Sequence, residues 1–212
     1  MKLLKLSLLI PTYNYKSGLN QILECLKNIN HDLLNFVEII ISDNSENKIL
    51  SPIECKDLKK KYSNFKYIHN KNSLGGPQNW NKLITLANGK YIWILHHDEY
   101  WIKDSNLIEN ILRIIEKRSP NVIILPIKKR KIFLIKGKKL EIFQKNLLLE
   151  DIYKKFITNP KLLLKLNIIG PPSVLIYKKK EIYYDLNLKY LVDVEYYVRL
   201  FKEFNFNKII IV

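Results

Sequence analysis

Short, almost unbroken apolar runs alternating with stretches of helical spacing constrain this chain more than any other feature. Residues 3–11 form a near-continuous apolar run, the pattern of a strand buried on both faces. Leu19, Ile22, Leu23, Leu26 and Ile29 then recur at helical spacing after the start signal Ser17-Gly18. A second run, 37–42 (VEIIIS), stops abruptly in Asp43-Asn44-Ser45, and a lysine-rich helix at 53–61 leads to a third strand at 65–69. Residues 70–78 (NKNSLGGPQ) read as a turn-rich loop, after which Trp80, Leu83, Ile84 and Ala87 give one apolar helical face that ends at Asn88-Gly89. A fourth strand, 91–95, runs straight into His96-His97-Asp98-Glu99, and a helix at 106–117 precedes a fifth strand at 122–126. Strands alternating in this way with helices predict an α/β chain built on an open, mostly parallel, twisted sheet flanked by helices.

The second half is less regular. Residues 128–144 read as a basic hairpin or excursion with a turn at Lys136-Gly137-Lys138. A helix near 150–158 follows, then 160–166, and Gly170-Pro171-Pro172-Ser173 opens a strand at 174–177. The pattern of 193–204 is helical, and 208–212 ends the chain as an apolar strand. Such an ending fits a chain compact to its last residue or one continued in a longer protein. The opening MKLLKLSLLIPTYN reads as a strand rather than a signal peptide, because Lys5 interrupts the apolar stretch and no small-residue cleavage site precedes Thr12. No apolar run reaches the roughly 18 residues of a membrane span.

With 212 residues and 47% hydrophobic side chains, the chain has enough material for a real core, and disorder is excluded. Its net charge of +16 comes almost wholly from lysine, the arginines being Arg113, Arg118, Arg130 and Arg199. That charge favours phosphates or anionic lipid without naming a partner. A nucleic-acid-binding domain would interleave basic residues with exposed aromatics, whereas these lysines are scattered and the best-organised polar clusters are acidic, so no nucleic-acid partner is expected. Cys25 and Cys55 have neither metal-ligand spacing nor a disulfide framework around them, which suits a reducing compartment.

In parallel α/β sheets, ligands bind outside the carboxyl ends of the strands. Three polar clusters fall there: 11–14 after strand one, 43–45 after strand two and 97–99 after strand four, with the 72–76 loop in the same sector. Asp43 could accept a hydrogen bond from a uracil-like base, and Gly75-Gly76 would let backbone approach a ribose or phosphate closely. Asp98 and Glu99 could hold a divalent cation whose charge offsets a diphosphate. Taken singly, Asp43 is more readily a turn or helix cap, the glycine pair a turn, and adjacent acids a solvated loop end. Their common position at one sheet edge favours a site.

The segments LSLLIPTYN, IIISDNS and NSLGGPQNWNKLITLANGKYIWILHHDEYW, in this order and spacing, resemble the nucleotide-binding half of the family 2 glycosyltransferases. GPPSVLIYKK and LKYLVDVEYYVRLF extend the resemblance over nearly the whole chain, with 128–168 the poorest fit. It implies a GT-A (Rossmann-like) fold, with a donor-binding half at 1–126 and an acceptor-side half at 127–212. It also implies an inverting enzyme of the hexosyltransferase class that uses a nucleoside diphosphate sugar, most simply a UDP-sugar, with Mg²⁺ or Mn²⁺. The acceptor would be a glycan or lipid-linked saccharide of bacterial surface polysaccharide synthesis, and the enzyme would be cytoplasmic or peripheral on the inner face of the membrane. Position by position, Pro11, Thr12, Tyr13 and Asn14 would lie at the nucleotide pocket and Asp43 would face the base. Asn72, Gly75 and Gly76 would flank the nucleotide, Asn81 matches an asparagine of the pattern, and Asp98-Glu99 takes the place of the metal-binding acidic motif.

Asp193 matches the family's catalytic base, a carboxylate that takes the proton of the attacking acceptor hydroxyl. Its structural alternative is the N-cap of the following helix, and Glu195 is the reserve base. Two departures stand out: His96 occupies the position of an aspartate, and Glu99 is longer than the usual aspartate by one methylene. His97 is a loop histidine that could meet the metal or the diphosphate. Trp80 and Trp93 read as core, while Trp101 could stack on a sugar. Lys128, Lys129, Lys131, Lys136, Lys138 and Lys139 form a solvated face that could also rest on anionic lipid. A nucleotidyltransferase, the rival enzyme class, would carry a Gly-rich basic phosphate loop after strand one, where this chain has Pro11-Thr12-Tyr13-Asn14.

Overall fold

The computed structural model describes residues 3–27, 29–99, 106–126, 128–135, 138–145, 150–204 and 208–212. Its first strand, β1 (Leu6–Thr12), is buried at every position. β1 pairs in parallel with β2 (Val37–Asp43) on one side and β4 (Tyr91–Ile94) on the other. β3 (Phe65–His69) extends the sheet in parallel beyond β2. On the far side of β4 the direction changes: β8 (Leu175–Lys178) runs antiparallel both to β4 and to β5 (Val122–Ile124), and β9 (Ile209–Ile211) closes the edge parallel to β5. The resulting order is β3-β2-β1-β4-β8-β5-β9, a seven-stranded sheet with one strand reversed.

Because side chains alternate across a strand, the sheet buries two separate cores. Leu6, Leu8 and Ile10 of β1 join Ile39 and Ile41 on one face, beneath α1 (Lys16–Leu26) and α5 (Leu107–Arg118). Leu9 joins Ile40, Ile92 and Ile94 on the other, beneath α4 (Gly76–Leu86), α6 (Glu150–Thr158) and α7 (Val192–Glu203). Each fully buried Leu or Ile contributes on the order of 2 kcal/mol, so the two cores fix strand register strongly. The short α2 (His31–Leu34) and α3 (Pro52–Lys61) cover the first face. A capping box at Ser51 and Glu54 starts α3, with Pro52 in its first turn.

β6 (Lys128–Ile135) and β7 (Lys138–Lys145) pair antiparallel as a separate two-stranded sheet, the expected basic hairpin, with Lys128 opposite Lys145. Two differences from the sequence reading affect the site. α4 begins at Gly76, inside the segment read as loop, because Gly75 adopts a left-handed φ of 76° and Pro77 is pre-organised for the first helical turn. The N-cap of α7 is Leu191, at φ 55°, and Asp193 lies inside the first turn, so Asp193 does not cap the helix. Among the described residues no helix is long and apolar enough to cross a membrane.

Candidate functional site

The carboxyl ends of β1, β2 and β4 open onto a cleft of about 460 Å³. Pro11, Thr12 and Tyr13 at the end of β1 line one wall, and Asn44 follows β2. Ser73, Gly75 and Gly76 with Asn79 and Trp80 form the α4 side, and His96, His97 and Asp98 enter from the turn after β4. The strand ends supply these residues because the apolar runs stop there and the chain must turn in the open.

A buried polar lattice holds the loop between β3 and α4 in place. Asn70 Nδ2 lies 2.7 Å from Asn44 Oδ1 and 3.1 Å from both Ser42 Oγ and Asn79 Oδ1. Asn79 Nδ2 donates to the Ser42 carbonyl at 3.1 Å, and Lys82 Nζ donates to Asn70 Oδ1 at 2.5 Å. Asn44 Nδ2 reaches the Gly75 carbonyl at 3.1 Å. Satisfied networks of this kind fix geometry, since each broken bond would leave a buried polar group unpaired. The 72–76 loop is therefore pre-positioned at the cleft.

Asp43 is fully buried below this floor and does not line the cleft. Its Oδ1 accepts from Ser45 N at 2.9 Å; its Oδ2 accepts from Ile49 N at 2.9 Å and Tyr67 Oη at 2.5 Å. Burial pushes its carboxyl up, but the bonds from Ile49, Ser45 and Tyr67 outweigh that and leave it below the usual range. In this state Asp43 organises the turn after β2, and contact with a base would require rearrangement. Asn81 also lies outside the cleft lining: its Nδ2 donates to the Tyr184 carbonyl at 2.8 Å and its Oδ1 accepts from Tyr184 N at 2.7 Å. It staples the chain ahead of α7 to α4. Asn14, at φ 48°, is exposed, its amide donating to Ser45 Oγ, and Asn72 is exposed on the loop; neither lines the cleft.

The turn after β4 separates the acidic pair. Asp98 is exposed in the cleft, whereas Glu99 is half-buried and does not line it. Burial raises the Glu99 carboxyl above its ordinary value; hydrogen bonding from Ser173 opposes this, and the charges of Asp98 and Asp193 add to it. Ser173 is itself held, its carbonyl accepting from the buried Trp93 Nε1 at 2.6 Å. Asp193 thus comes within electrostatic reach of the acidic turn, and its charge is also felt at the buried Tyr184 and Tyr197 hydroxyls, which burial holds well above their usual range. Glu195 is taken up by Arg199, whose Nε and Nη2 lie 2.5 and 2.7 Å from its two oxygens.

His96 packs against Trp80 with ring centroids 4.9 Å apart, and burial drives its imidazole down to about 4. His97 Nδ1 lies 3.3 Å from the Pro11 carbonyl. Gly18 of α1 sits so close that a Cβ there would come within 2.0 Å of the His97 carbonyl. Trp93 is core, 1% exposed, whereas Trp80 has one side on the core and the other on the cleft. Trp101 and Lys136 lie outside the described residues. Sequence reasoning put Ser73 in the 72–76 loop of the ligand sector but missed Asn79 and Trp80 as cleft residues; the signal was Gly75 before Pro77, which puts Asn79 and Trp80 in the first turns of α4.

The profile of the family described as Glycosyl transferase family 2 matches residues 7–181. Over 102 residues the chain is 37% identical to abequosyltransferase RfbV of Salmonella typhimurium, a match covering 47% of this chain and 30% of that one. Over 100 residues it is 33% identical to the uncharacterized glycosyltransferase MG025 of Mycoplasma genitalium, covering 47% and 33%. The matched regions span about a third of these relatives. The fold is similar to that of S. aureus TarS residues 1–349, at a TM-score of 0.68 and 18% identity, over 99% of this chain and 58% of TarS. That likeness establishes the GT-A fold, and the match over residues 7–181 settles the family: the chain belongs to glycosyl transferase family 2.

Proposed function

We propose that this chain is the donor-binding and catalytic unit of an inverting glycosyltransferase that moves a hexosyl-type sugar from a UDP-sugar to a hydroxyl of a glycan or lipid-linked acceptor. The observation that carries this reading is the cleft at the carboxyl ends of β1, β2 and β4, lined by Pro11, Thr12, Tyr13, Gly75, Gly76 and Asp98, in a chain of this family. TarS has been solved in complex with UDP and with UDP-GlcNAc, which supports a uridine donor. Residues 1–126 would then form the donor half, and 127–212 the acceptor side.

In the transfer, the acceptor hydroxyl attacks the anomeric carbon, the new C–O bond forms as the bond to the diphosphate breaks, and UDP leaves. Asp193 takes the hydroxyl proton, because Glu195 is held by Arg199. Tyr13, 54% exposed at the cleft mouth, offers a ring face for the base.

Among the described residues no three His, Cys, Asp or Glu side chains cluster to hold a metal ion. Asp98 nevertheless opens to the cleft, and Glu99 Oε2 is buried without a hydrogen-bond partner. Asp98, the member of the pair that lines the cleft, would be the carboxylate to hold Mg²⁺ or Mn²⁺ with substrate phosphates completing the shell, whereas Glu99 turns toward Ser173 and is not placed to join it. Bound there, the cation would neutralise charge on the leaving diphosphate. The same reading places the enzyme in the cytoplasm in bacterial surface polysaccharide synthesis, with the lysine-rich β6–β7 hairpin resting on the anionic inner face of the membrane.

Melting curves with UDP, GDP and ADP, each with and without Mn²⁺, test the donor site. Saturating UDP is expected to raise the melting temperature by about 5–10 °C, the shift of a ligand at a hundred times its Kd. No shift with any nucleotide in either condition would remove the donor-site reading.

A further inference from the structure

Trp80 and Asn81 are neighbours on α4, and both reach the same residue from the second half of the chain. Asn81 commits its whole side-chain amide to the main chain of Tyr184, donating to the carbonyl at 2.8 Å and accepting from the N–H at 2.7 Å. An amide bonded at both ends fixes its partner in position and direction, as a paired strand does. The Trp80 ring, which also walls the cleft, meets the Tyr184 ring edge-on with centroids 4.9 Å apart. Tyr184 is 3% exposed and stacks on Tyr196 of α7 at 4.1 Å, with the ring planes 15° apart.

α7 grips the same two residues from its own side. Arg199 Nη2 donates to the Tyr183 carbonyl at 2.7 Å, and its guanidinium lies 5.8 Å from the Tyr196 ring centroid. The stretch from 185 to 191 forms neither strand nor helix and is largely exposed. It enters α7 through Leu191 at φ 55°, a left-handed backbone that a leucine keeps only where its surroundings enforce it. The clamp on Tyr184 supplies the anchorage that this stretch lacks. Asp193 lies three residues before Tyr196, one turn along the same helix, and its charge is felt at Tyr184.

We infer that Asn81 is a positioning residue for the proton acceptor: with Trp80 it holds Tyr184, Tyr184 holds Tyr196, and the wall of the donor cleft thereby sets the first turn of α7 and Asp193 with it. This rests on the readings of the cleft and of Asp193 given above and deepens them. Asn81 lies outside the cleft lining and acts only through Tyr184.

The test is hydrogen exchange by mass spectrometry on the full chain, with and without saturating UDP, for the wild type, Asn81→Leu and Val37→Ala. Val37, 2% exposed at the amino end of β2, gives a cavity variant far from the cleft that matches a loss of stability alone. In the wild type UDP is expected to slow exchange in the 70–79 loop and, by at least about fivefold, in 192–203. Asn81→Leu should keep the first response and lose the second, and Val37→Ala should keep both. The inference is overturned if UDP leaves 192–203 unchanged in the wild type, if Asn81→Leu keeps that response, or if Val37→Ala loses it too. Should Asn81→Leu fail to fold, Asn81→Asp takes its place, since it keeps the acceptor for Tyr184 N–H and loses the donor. UDP release from UDP-glucose, UDP-galactose and UDP-GlcNAc, with water as acceptor, reads the consequence for the base. Asn81→Leu should lower kcat at least about tenfold with KM for the donor within about twofold, and should cost nothing further in an Asp193→Asn background. Equal losses in both backgrounds would overturn the inference; where the wild type releases UDP from none of the three, the exchange result alone decides. A wild type in which UDP slows exchange nowhere would instead overturn the donor-site reading.

Discussion

Asp193 carries the sharpest expectation at the scale of single residues. It lies in the first turn of α7, its charge is felt at Glu99, Tyr184 and Tyr197, and it is the residue proposed above as proton acceptor. Asp193→Asn should lower kcat for sugar transfer by at least about a hundredfold, the usual worth of a general base, while the UDP-induced melting shift stays as in the wild type. Near-normal turnover would assign the proton to another group. Glu195→Gln tests the converse, because its bidentate hold on Arg199, which also donates to the Tyr183 carbonyl, is a positioning role. Asp43 shows how the same residue type divides by environment: legible as a polar stop after β2, it has both oxygens committed to its own turn. No single sequence states which partners a carboxylate finds once neighbouring strands close around it.

At the scale of elements, close backbone approaches decide what aligns the site. Gly18→Ala would drive a methyl to 2.0 Å from the His97 carbonyl, so α1 or the acidic turn must move. The expected cost is about 1–3 kcal/mol of stability, read as a lower urea midpoint, together with weaker UDP binding because His96 and Asp98 shift. A stability loss with unchanged UDP affinity would confine the strain to α1. The opposite sheet edge is held by Glu38, buried at 1% exposure on β2. Its carboxylate accepts from Ser7 Oγ at 2.7 Å, from Asn88 N and Nδ2 at 2.8 Å each, and from Lys66 Nζ at 3.0 Å. This network ties the end of α4 to β1 and β2. Glu38→Ala should cost about 3 kcal/mol, whereas Lys66→Ala should cost under about 1 kcal/mol because the lysine is half exposed. Equal losses would show that the ion pair, rather than the buried acceptor, matters.

For the whole molecule the same carboxylates set the acid limit. Burial pushes Glu38 upward, yet its bonds to Asn88, Ser7 and Lys66 prevail and leave it below its ordinary 4.5; Asp43 likewise lies below 3.8. A lowered folded-state value means that the unfolded chain binds the proton more readily. The stability these groups contribute is therefore complete above about pH 5 and is lost as pH falls through 4.5 and below. Chemical denaturation between pH 7 and 3 should show a flat region followed by a decline, and Glu38→Gln should make that decline shallower. An unchanged slope in the variant would remove Glu38 as a contributor.

Local sequence determined which segments become strands and helices, because buried strands demand unbroken apolar runs and amphipathic helices demand their own spacing. It also marked the strand ends at which Pro11, Thr12, Tyr13 and Asp98 meet the cleft, since apolar runs must end where the chain turns into water. The start of α4 was harder to read, for a glycine-rich stretch looks like loop until Gly75 adopts its left-handed backbone and Pro77 continues into helix. The reversal of β8 had no local signature at all, because antiparallel insertion between β4 and β5 is a matter of partners and not of period. Only the tertiary structure decided that Asp98 faces the cleft while Glu99 turns to Ser173, that Asn81 holds Tyr184, and that Thr12 and His96 are left without partners. Those outcomes depend on contacts between residues far apart in the chain, and burial and hydrogen bonding are properties of the assembled neighbourhood.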